Sequence, residues 1–433
     1  MSELLITGGR VVDESGERVA DVRVRDGAIV EVAPGLARGG GALVLDAEGC
    51  VVAPGFVDLH THLREPGREE AETIESGARA AALGGYTAVV AMPNTSPPLD
   101  DAAVVASVLA AGERAACDVA VAGCITRGRA GVELAPLGEL HDLGVRIFTD
   151  DGDCVADAGV MRRAFEYASA LPGAVIAQHA EDPALASCGH MHEGEWSSRL
   201  GIPGRPAEAE STIVARDLAL ARATGGRYHV LHVSTAASVA LLRQARTEGI
   251  AVTAEVTPQH LVLTDERCAS FDPAFKVNPP LRPTDDVEAL RAGLADATID
   301  AIATDHAPHA PETKAMPFEE APPGMVGLET ALAIVLTHLV EPGVVSLPAA
   351  LGALSWVPAR IAALDARGHG RPIAVGERAN LCVVDLAAQW VVDGHRLASR
   401  SHNTPFEGWK LSGKVRHTVL AGEAVVRDGE AQR

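Results

Sequence analysis

The heptapeptide Ala303-Thr304-Asp305-His306-Ala307-Pro308-His309 closes an apolar run that begins at Ile299. A second apolar run, Val51 to Val57, leads into Asp58-Leu59-His60-Thr61-His62-Leu63-Arg64-Glu65-Pro66-Gly67. Residues two apart in an extended segment point the same way, so His60 and His62 face one point in space, where two neutral imidazoles suit a divalent metal. Asp305 adds a carboxylate. A lone His-x-His pair is weak evidence, because polar loop histidines are commoner than metal ligands. Two such strand ends in one chain reverse that weighting.

These side chains need elements to bring them together. Short apolar runs recur along the chain, each followed by a segment of helical periodicity: Val51–Asp58, Thr87–Met92, Val119–Thr126, Val145–Asp150, Ala174–His179, Tyr228–Ser234, Ala251–Thr257 and Ile299–Asp305. Eight alternating β and α units predict an α/β fold, a closed (β/α)8 barrel rather than an open doubly wound sheet. Functional residues then belong at the C-terminal strand ends, where the candidate ligands lie. Outside this region the pattern is β, with strands expected over Leu4–Val12, Val19–Val32, Leu43–Val52, Asn380–Asp385, Trp390–Val392 and Lys414–Arg427. Turns are expected at Arg25-Asp26-Gly27, Asp393-Gly394 and Ala421-Gly422. The expected division is residues 1–53 and 366–433 as two parts of one small β domain, which is assigned no catalytic role, and residues 54–365 as the barrel.

Composition narrows the class of function. At 433 residues the chain can bury a large core, and 47% hydrophobic with 3% aromatic residues suits many short strands among Ala-rich helices. A formal net charge of −21 argues against nucleic acid or an anionic membrane as partner. It leaves room for an anionic small molecule, since a few local cations dominate inside a pocket. The seven Cys, at 50, 117, 124, 154, 188, 268 and 382, form no Cys-x-x-Cys pair and are odd in number, which fits a reducing cytoplasm better than a disulfide framework. The opening Met1-Ser2-Glu3-Leu4-Leu5-Ile6 has too short an apolar run for a signal peptide, and Ala331 to Leu336, the nearest approach to a membrane span, is also too short. A soluble protein is expected.

Three further strand ends carry candidate ligands: Phe148-Thr149-Asp150-Asp151-Gly152, Gln178-His179-Ala180-Glu181-Asp182 and Leu231-His232-Val233-Ser234. Singly, each reads as supporting or loop chemistry. Together with the first two ends they place four His and two Asp at one rim. That exceeds the three protein ligands of a mononuclear catalytic zinc and matches a two-metal site with a shared carboxylate.

Taken jointly, these segments resemble the cyclic amidohydrolases, and most closely the dihydroorotases, over essentially the whole chain. The likeness rests on Asp58-Leu59-His60-Thr61-His62-Leu63-Arg64, on Ala303 to His309 followed by Lys314, and on Met92-Pro93-Asn94-Thr95, Val277-Asn278-Pro279-Pro280-Leu281-Arg282 and Gly324-Met325-Val326-Gly327-Leu328-Glu329-Thr330. The resemblance implies two zinc ions per chain, His60, His62 and Asp305 holding one and His179 and His232 the other, with Asp151 shared between them. Between Asp150 and Asp151 it favours the second. In many relatives a carboxylated Lys is the shared ligand, but no Lys lies between Glu3 and Lys276.

The implied reaction is the reversible cyclisation of N-carbamoyl-L-aspartate to L-dihydroorotate with loss of water, in de novo pyrimidine (UMP) synthesis, with Asp305 as general acid and base. Arg64, Asn94 and His309 are expected to bind the substrate carboxylate, and Asn278 with the backbone of Pro323 and Gly324 the ring amides. The alternative for Arg64 is a surface ion pair with Glu65 or Glu69. Residues 309–327, rich in Pro and Gly, are expected to form a partly mobile cover. Rival activities are those of a hydantoinase, dihydropyrimidinase or allantoinase. A rival of another class is a non-catalytic scaffold for aspartate transcarbamoylase. A homodimer and a transcarbamoylase complex are the assemblies considered.

Other residues receive plainer readings. Cys188, His190 and His192 have metal-like spacing but lie in a Gly-containing connection, and read as polar loop. Cys154 reads as a filler rather than a nucleophile. His141 falls in a helix expected over Leu134–Leu143 and reads as a surface residue. Asp58 is open between a hydrogen-bond acceptor for the ligand histidines and a structural carboxylate.

Overall fold

The structure is a computed structural model describing residues 3–39 and 41–433. Eight parallel strands carry the site: β1 (Phe56–Thr61), β2 (Tyr86–Ala91), β3 (Asp118–Val121), β4 (Ile147–Phe148), β5 (Val175–Gln178), β6 (Tyr228–Val230), β7 (Val252–Val256) and β8 (Ala301–Ile302). They form two hydrogen-bonded sheets, in the orders β3-β2-β1 and β4-β5-β6-β7-β8. Single parallel bridges stand at both seams, Gly123 with Phe148 and Thr61 with His306. Every residue of β1, β2 and β5 is buried, as apolar parallel strands covered on both faces require.

Amphipathic helices connect the strands. The one over Ala158–Ala168 buries Val160, Met161, Ala164, Phe165 and Ala168, the three-and-four spacing of a single helical face. Thr73, Asp101, Asp157 and Thr235 cap helix N-termini by accepting backbone N–H bonds that would otherwise be unmade. The helix expected over Leu134–Leu143 is shorter, Leu137–Asp142. Leu134 bridges Thr126 instead, and Pro136 disfavours helical backbone in the residue before it. No helix among the described residues is long and apolar enough to cross a membrane.

The expected strand Val51–Asp58 is two strands. Val51–Pro54 pairs antiparallel with Leu381–Val391 and parallel with Arg10–Asp13, whereas Phe56 onward belongs to β1. The break falls at Gly55, whose N–H donates to Asn380 O at 2.9 Å and where a Cβ would stand within 2.8 Å of three Thr87 side-chain atoms. Only glycine lets the chain pass Thr87 as it changes sheets. The expected strand Leu4–Val12 breaks likewise at Gly8, with φ +77°, into Glu3–Thr7 and Arg10–Asp13 of different sheets.

Both chain ends build those sheets. The seven-stranded one runs Glu430–Ala431, Glu423–Arg427, Lys410–Leu420, Leu381–Val391, Val51–Pro54, Arg10–Asp13, Gly16–Val19. The four-stranded one runs Ala28–Ala33, Asp21–Arg25, Glu3–Thr7, Leu43–Asp46. Ile6, Val11, Val24, Val52, Leu381 and Val419 share an apolar cluster apart from that of the helices.

Candidate metal centre and active site

β1 and the residues just past it deliver His60 and His62, both buried, with ring centroids 5.3 Å apart. Nε2 of His60 lies 3.3 Å from Asp151 Oδ1 and 3.5 Å from Asp305 Oδ1. Nε2 of His62 lies 3.1 Å from Asp305 Oδ1 and 3.5 Å from Asp151 Oδ2. On the other side of Asp151, Nε2 of His232 and Nδ1 of His179 stand 3.6 and 3.8 Å from its Oδ1. Two groups of ligand atoms result, His60-His62-Asp151 and Asp151-His179-His232, each mutually within 4.8 Å and sharing Asp151.

The donor set fits a divalent ion. Nε2 of His60 is buried, has no hydrogen-bond partner and faces two carboxylates. An orphaned buried nitrogen beside crowded carboxylates is costly unless a cation takes the lone pairs, and imidazole with carboxylate is the donor chemistry of zinc.

Neighbouring groups aim these ligands. Asp150 accepts hydrogen bonds from Ile125 N at 2.8 Å, Thr126 N at 3.0 Å and the Thr126 hydroxyl, which leaves Asp151 to face the histidines. Burial pushes the Asp150 carboxyl up to about 6. Asp58 touches no ligand ring; it accepts from Thr304 N at 3.0 Å, Thr304 Oγ1 at 2.5 Å and His60 N at 3.2 Å. It thus ties the His60 strand end to the Asp305 strand end. Nδ1 of His62 lies 2.9 Å from Asn94 Oδ1, and Nε2 of His179 lies 3.0 Å from Asn278 Nδ2. Arg64, His232 and Asp305 adopt positive φ of 61, 30 and 47°, sparsely populated backbone that tends to gather at functional sites.

Beside the ligands lies a cavity of about 250 Å³, lined by Arg64, Asn94, Asn278, His309, Pro323 and Gly324 together with His62, Asp151, His179, His232 and Asp305. Arg64 is buried and makes no ion pair with any described carboxylate; Glu65 instead accepts from Ile74 N and Glu69 from Gly67 N, both at 2.8 Å. Its Nε donates to Pro308 O at 3.0 Å. Burial, and then the charge of Arg68, push the guanidinium down to about 9, the condition of a cation in want of an anion.

His309 departs from its expected part as a donor to substrate. Its Nε2–H donates to Pro323 O at 2.8 Å, so a carboxylate gains that donor only by displacing the carbonyl. Burial, then Arg64, push this imidazole down to about 2, which keeps it neutral.

Several residues that support the candidate site were not singled out from the sequence. Glu255 of β7 lies 2.8 Å from Nδ1 of His60 and 3.1 Å from Nε2 of His229; the one hint was an acid in an apolar strand. Arg205 donates to Asn278 Oδ1 at 2.5 Å and to Glu181 Oε2 at 2.8 Å. The C-terminal segment, assigned no catalytic role from the sequence, reaches the site. Ser399 bonds Glu72, Ser401 Oγ donates to Ala71 O at 2.6 Å, and Asn403 Nδ2 donates to Ala307 O at 3.0 Å and Gly324 O at 3.1 Å. The reason is chain path, which periodicity does not encode.

The metal-like trio is engaged elsewhere. Nδ1 of His190 lies 3.2 Å from Lys276 Nζ, Nδ1 of His192 lies 3.0 Å from Arg282 Nη1, and Cys188 is exposed. Burial pushes the Cys154 thiol up to about 12, far from a thiolate nucleophile. His141 donates to Pro172 O at 2.9 Å at the surface.

Parallel strands that gather imidazoles and carboxylates at their C-terminal ends define a metal-dependent hydrolase of the cyclic amidohydrolase class. A family model described as Dihydro-orotase-like matches residues 49–238. The dihydroorotase of Streptomyces coelicolor is 50% identical over 433 residues, covering 99% of this chain and 100% of that protein. That of Mycobacterium tuberculosis is 52% identical over 430 residues, covering 99% of each. Among solved structures, the L-hydantoinase (dihydropyrimidinase) from Arthrobacter aurescens superposes with a TM-score of 0.89 at 27% identity, covering 100% of this chain and 98% of that one. The chain belongs to the dihydroorotase family.

Proposed function

We propose that the chain interconverts N-carbamoyl-L-aspartate and L-dihydroorotate, the ring-closing step of de novo pyrimidine (UMP) synthesis. The observation that carries this reading is Arg64, a buried guanidinium without a carboxylate partner, in the same cavity as the ligand cluster. A substrate that combines a cyclic amide with a carboxylate satisfies both halves of that cavity. A ring without the carboxylate leaves Arg64 unpaired, which argues against hydantoin and allantoin as preferred substrates.

Two zinc ions, held by His60, His62, Asp151 and Asp305 and by Asp151, His179 and His232, would supply acidity to the attacking water and polarise the scissile carbonyl. Asp305, 3.1 Å from His62, is the group placed to move protons. In hydrolysis it takes a proton from water as the water oxygen adds to the amide carbonyl carbon, then delivers it to the ring nitrogen as the C–N bond breaks. In cyclisation, with the reacting carboxyl of N-carbamoyl-L-aspartate in its protonated form, it takes the ureido N–H proton and returns it to the departing hydroxide, which leaves as water. Arg64 and Nδ2 of Asn94 receive the carboxylate, and His309 adds its N–H by exchanging Pro323 O for it. Asn278 and the backbone of Pro323 and Gly324 frame the ring.

We also infer that the eight strands close into a barrel, a reading supported by parallel bridges at both seams. The sheets built from both chain ends read as one small β domain beside it. All seven Cys are free, which favours a reducing cytoplasm. The test is an assay from both directions with zinc present. Dihydroorotate should form from N-carbamoyl-L-aspartate and be consumed by hydrolysis, reaching one equilibrium ratio; absence of either conversion in zinc-loaded protein refutes the proposal.

A further inference from the structure

Lys314, which follows the strand end that carries Asp305 and His309, does not line the cavity. Its Nζ donates to Pro322 O and Gly324 O, each at 3.0 Å, and so straddles Pro323. Asn403 joins the same loop to the strand end that carries His309. Its Nδ2 donates to Gly324 O at 3.1 Å and Ala307 O at 3.0 Å, while its Oδ1 accepts from His309 N at 3.2 Å. Gly324 N donates to Lys276 O at 2.8 Å, so the loop is fixed at a third point.

The loop has little slack. Gly324 has φ +147°, and a Cβ there would come within 2.7 Å of His309 Nε2 and 2.9 Å of Ala307 Cβ. A loop packed this closely against His309 sets where that imidazole stands, and its Nε2 lies 3.5 Å from Arg64 Nη2. Displacing the loop would therefore move first the two groups that face the substrate carboxylate.

We propose that Lys314 and Asn403 are positioning residues for the carboxylate subsite: neither meets substrate, and together they hold residues 322–324 so that His309 and Arg64 converge on one anion. The inference rests on the activity proposed above. It gives the C-terminal segment a part in substrate selection.

The experiment uses full-length, zinc-loaded Lys314→Met, Lys314→Arg and Asn403→Ala, with dihydroorotate and dihydrouracil as substrates. The Met and Ala variants should lose at least about tenfold in kcat/KM for dihydroorotate, chiefly through KM, while dihydrouracil, which meets this loop through its ring alone, falls by clearly less, so that the preference for dihydroorotate narrows. Zinc content should stay at the wild-type level, and Lys314→Arg, which keeps N–H donors for the two carbonyls, should recover most of the loss. A parallel fall on both rings, or no fall on either, overturns the proposal. If Lys314→Met or Asn403→Ala does not fold, Lys314→Gln and Asn403→Ser carry the same expectations. The wild-type ratio separates the two claims. A wild type without preference for dihydroorotate refutes the proposed activity, whereas a preference kept intact in the variants refutes only the positioning role.

Discussion

Nδ1 of His60 lies 2.8 Å from Oε1 of Glu255, and the other oxygen of that carboxylate lies 3.1 Å from Nε2 of His229. All three side chains are fully buried. A neutral imidazole carries one proton, so donation from Nδ1 leaves the lone pair on Nε2, the atom that faces Asp151 and Asp305. Strand β7 thereby decides what strand β1 offers to a metal.

Glu255→Gln tests this. An amide N–H turned toward Nδ1 favours the opposite tautomer and puts the proton where the metal belongs. Zinc affinity, measured by competition with a chelator, should fall about 10- to 100-fold, with activity largely restored at high zinc. Unchanged affinity would show that Glu255 only fills space.

Six candidate ligands converge where one metal uses three or four, so protein purified without chelator should hold two zinc ions per chain by elemental analysis. His179→Ala and His232→Ala should lose one of them, and activity with it. A stoichiometry of one, at full activity and with no gain on adding zinc, contradicts the shared-carboxylate arrangement.

Asp305→Asn should reduce turnover at least about a hundredfold in both directions while the protein stays folded, because an amide does not accept the proton. Near-normal rates in the zinc-loaded variant would reduce Asp305 to a ligand. His306 is then a poor substitute as base, since its Nε2 lies 3.2 Å from Glu72 Oε2 and its Nδ1 accepts from Gly327 N at 3.2 Å.

Stability carries a separate signature. Burial pushes the Glu329 carboxyl from its ordinary 4.5 up to about 7, outweighing the backbone N–H bonds from Ala398 and Ser399. Between those values the folded chain binds a proton that the unfolded chain has released. The contribution of Glu329 is therefore full below about 4.5 and is lost as pH rises through about 7. Glu329→Gln should flatten the fall in Tm between pH 5 and pH 8 and leave the variant the more stable above pH 7, read by thermal melts. Identical slopes in the two proteins contradict this assignment.

What the sequence disclosed follows from range. His60 and His62 were legible because strand period two is local, and Asp305 because it ends an apolar run. Eight strand-helix alternations needed no knowledge of pairing. Gly55 was invisible as a break because its reason is the side chain of Thr87 and the carbonyl of Asn380. The choice of Asp151 over Asp150 becomes physical only when the amides of Ile125 and Thr126 are seen to claim Asp150. Glu255 meets His60 across 195 residues and Asn403 meets His309 across 94, distances over which local periodicity carries no information.

Selection by a buried Arg64 of a ring bearing a carboxylate is tested most directly by kcat/KM for dihydroorotate, dihydrouracil, hydantoin and allantoin on wild type and Arg64→Ala. Without the carboxylate, a desolvated guanidinium stays unpaired, a penalty that reaches a factor of roughly 10^4. The wild type should favour dihydroorotate by a margin approaching that scale, and Arg64→Ala should narrow it by losing dihydroorotate activity alone. Equal or faster hydrolysis by the wild type of any ring lacking the carboxylate would contradict the account.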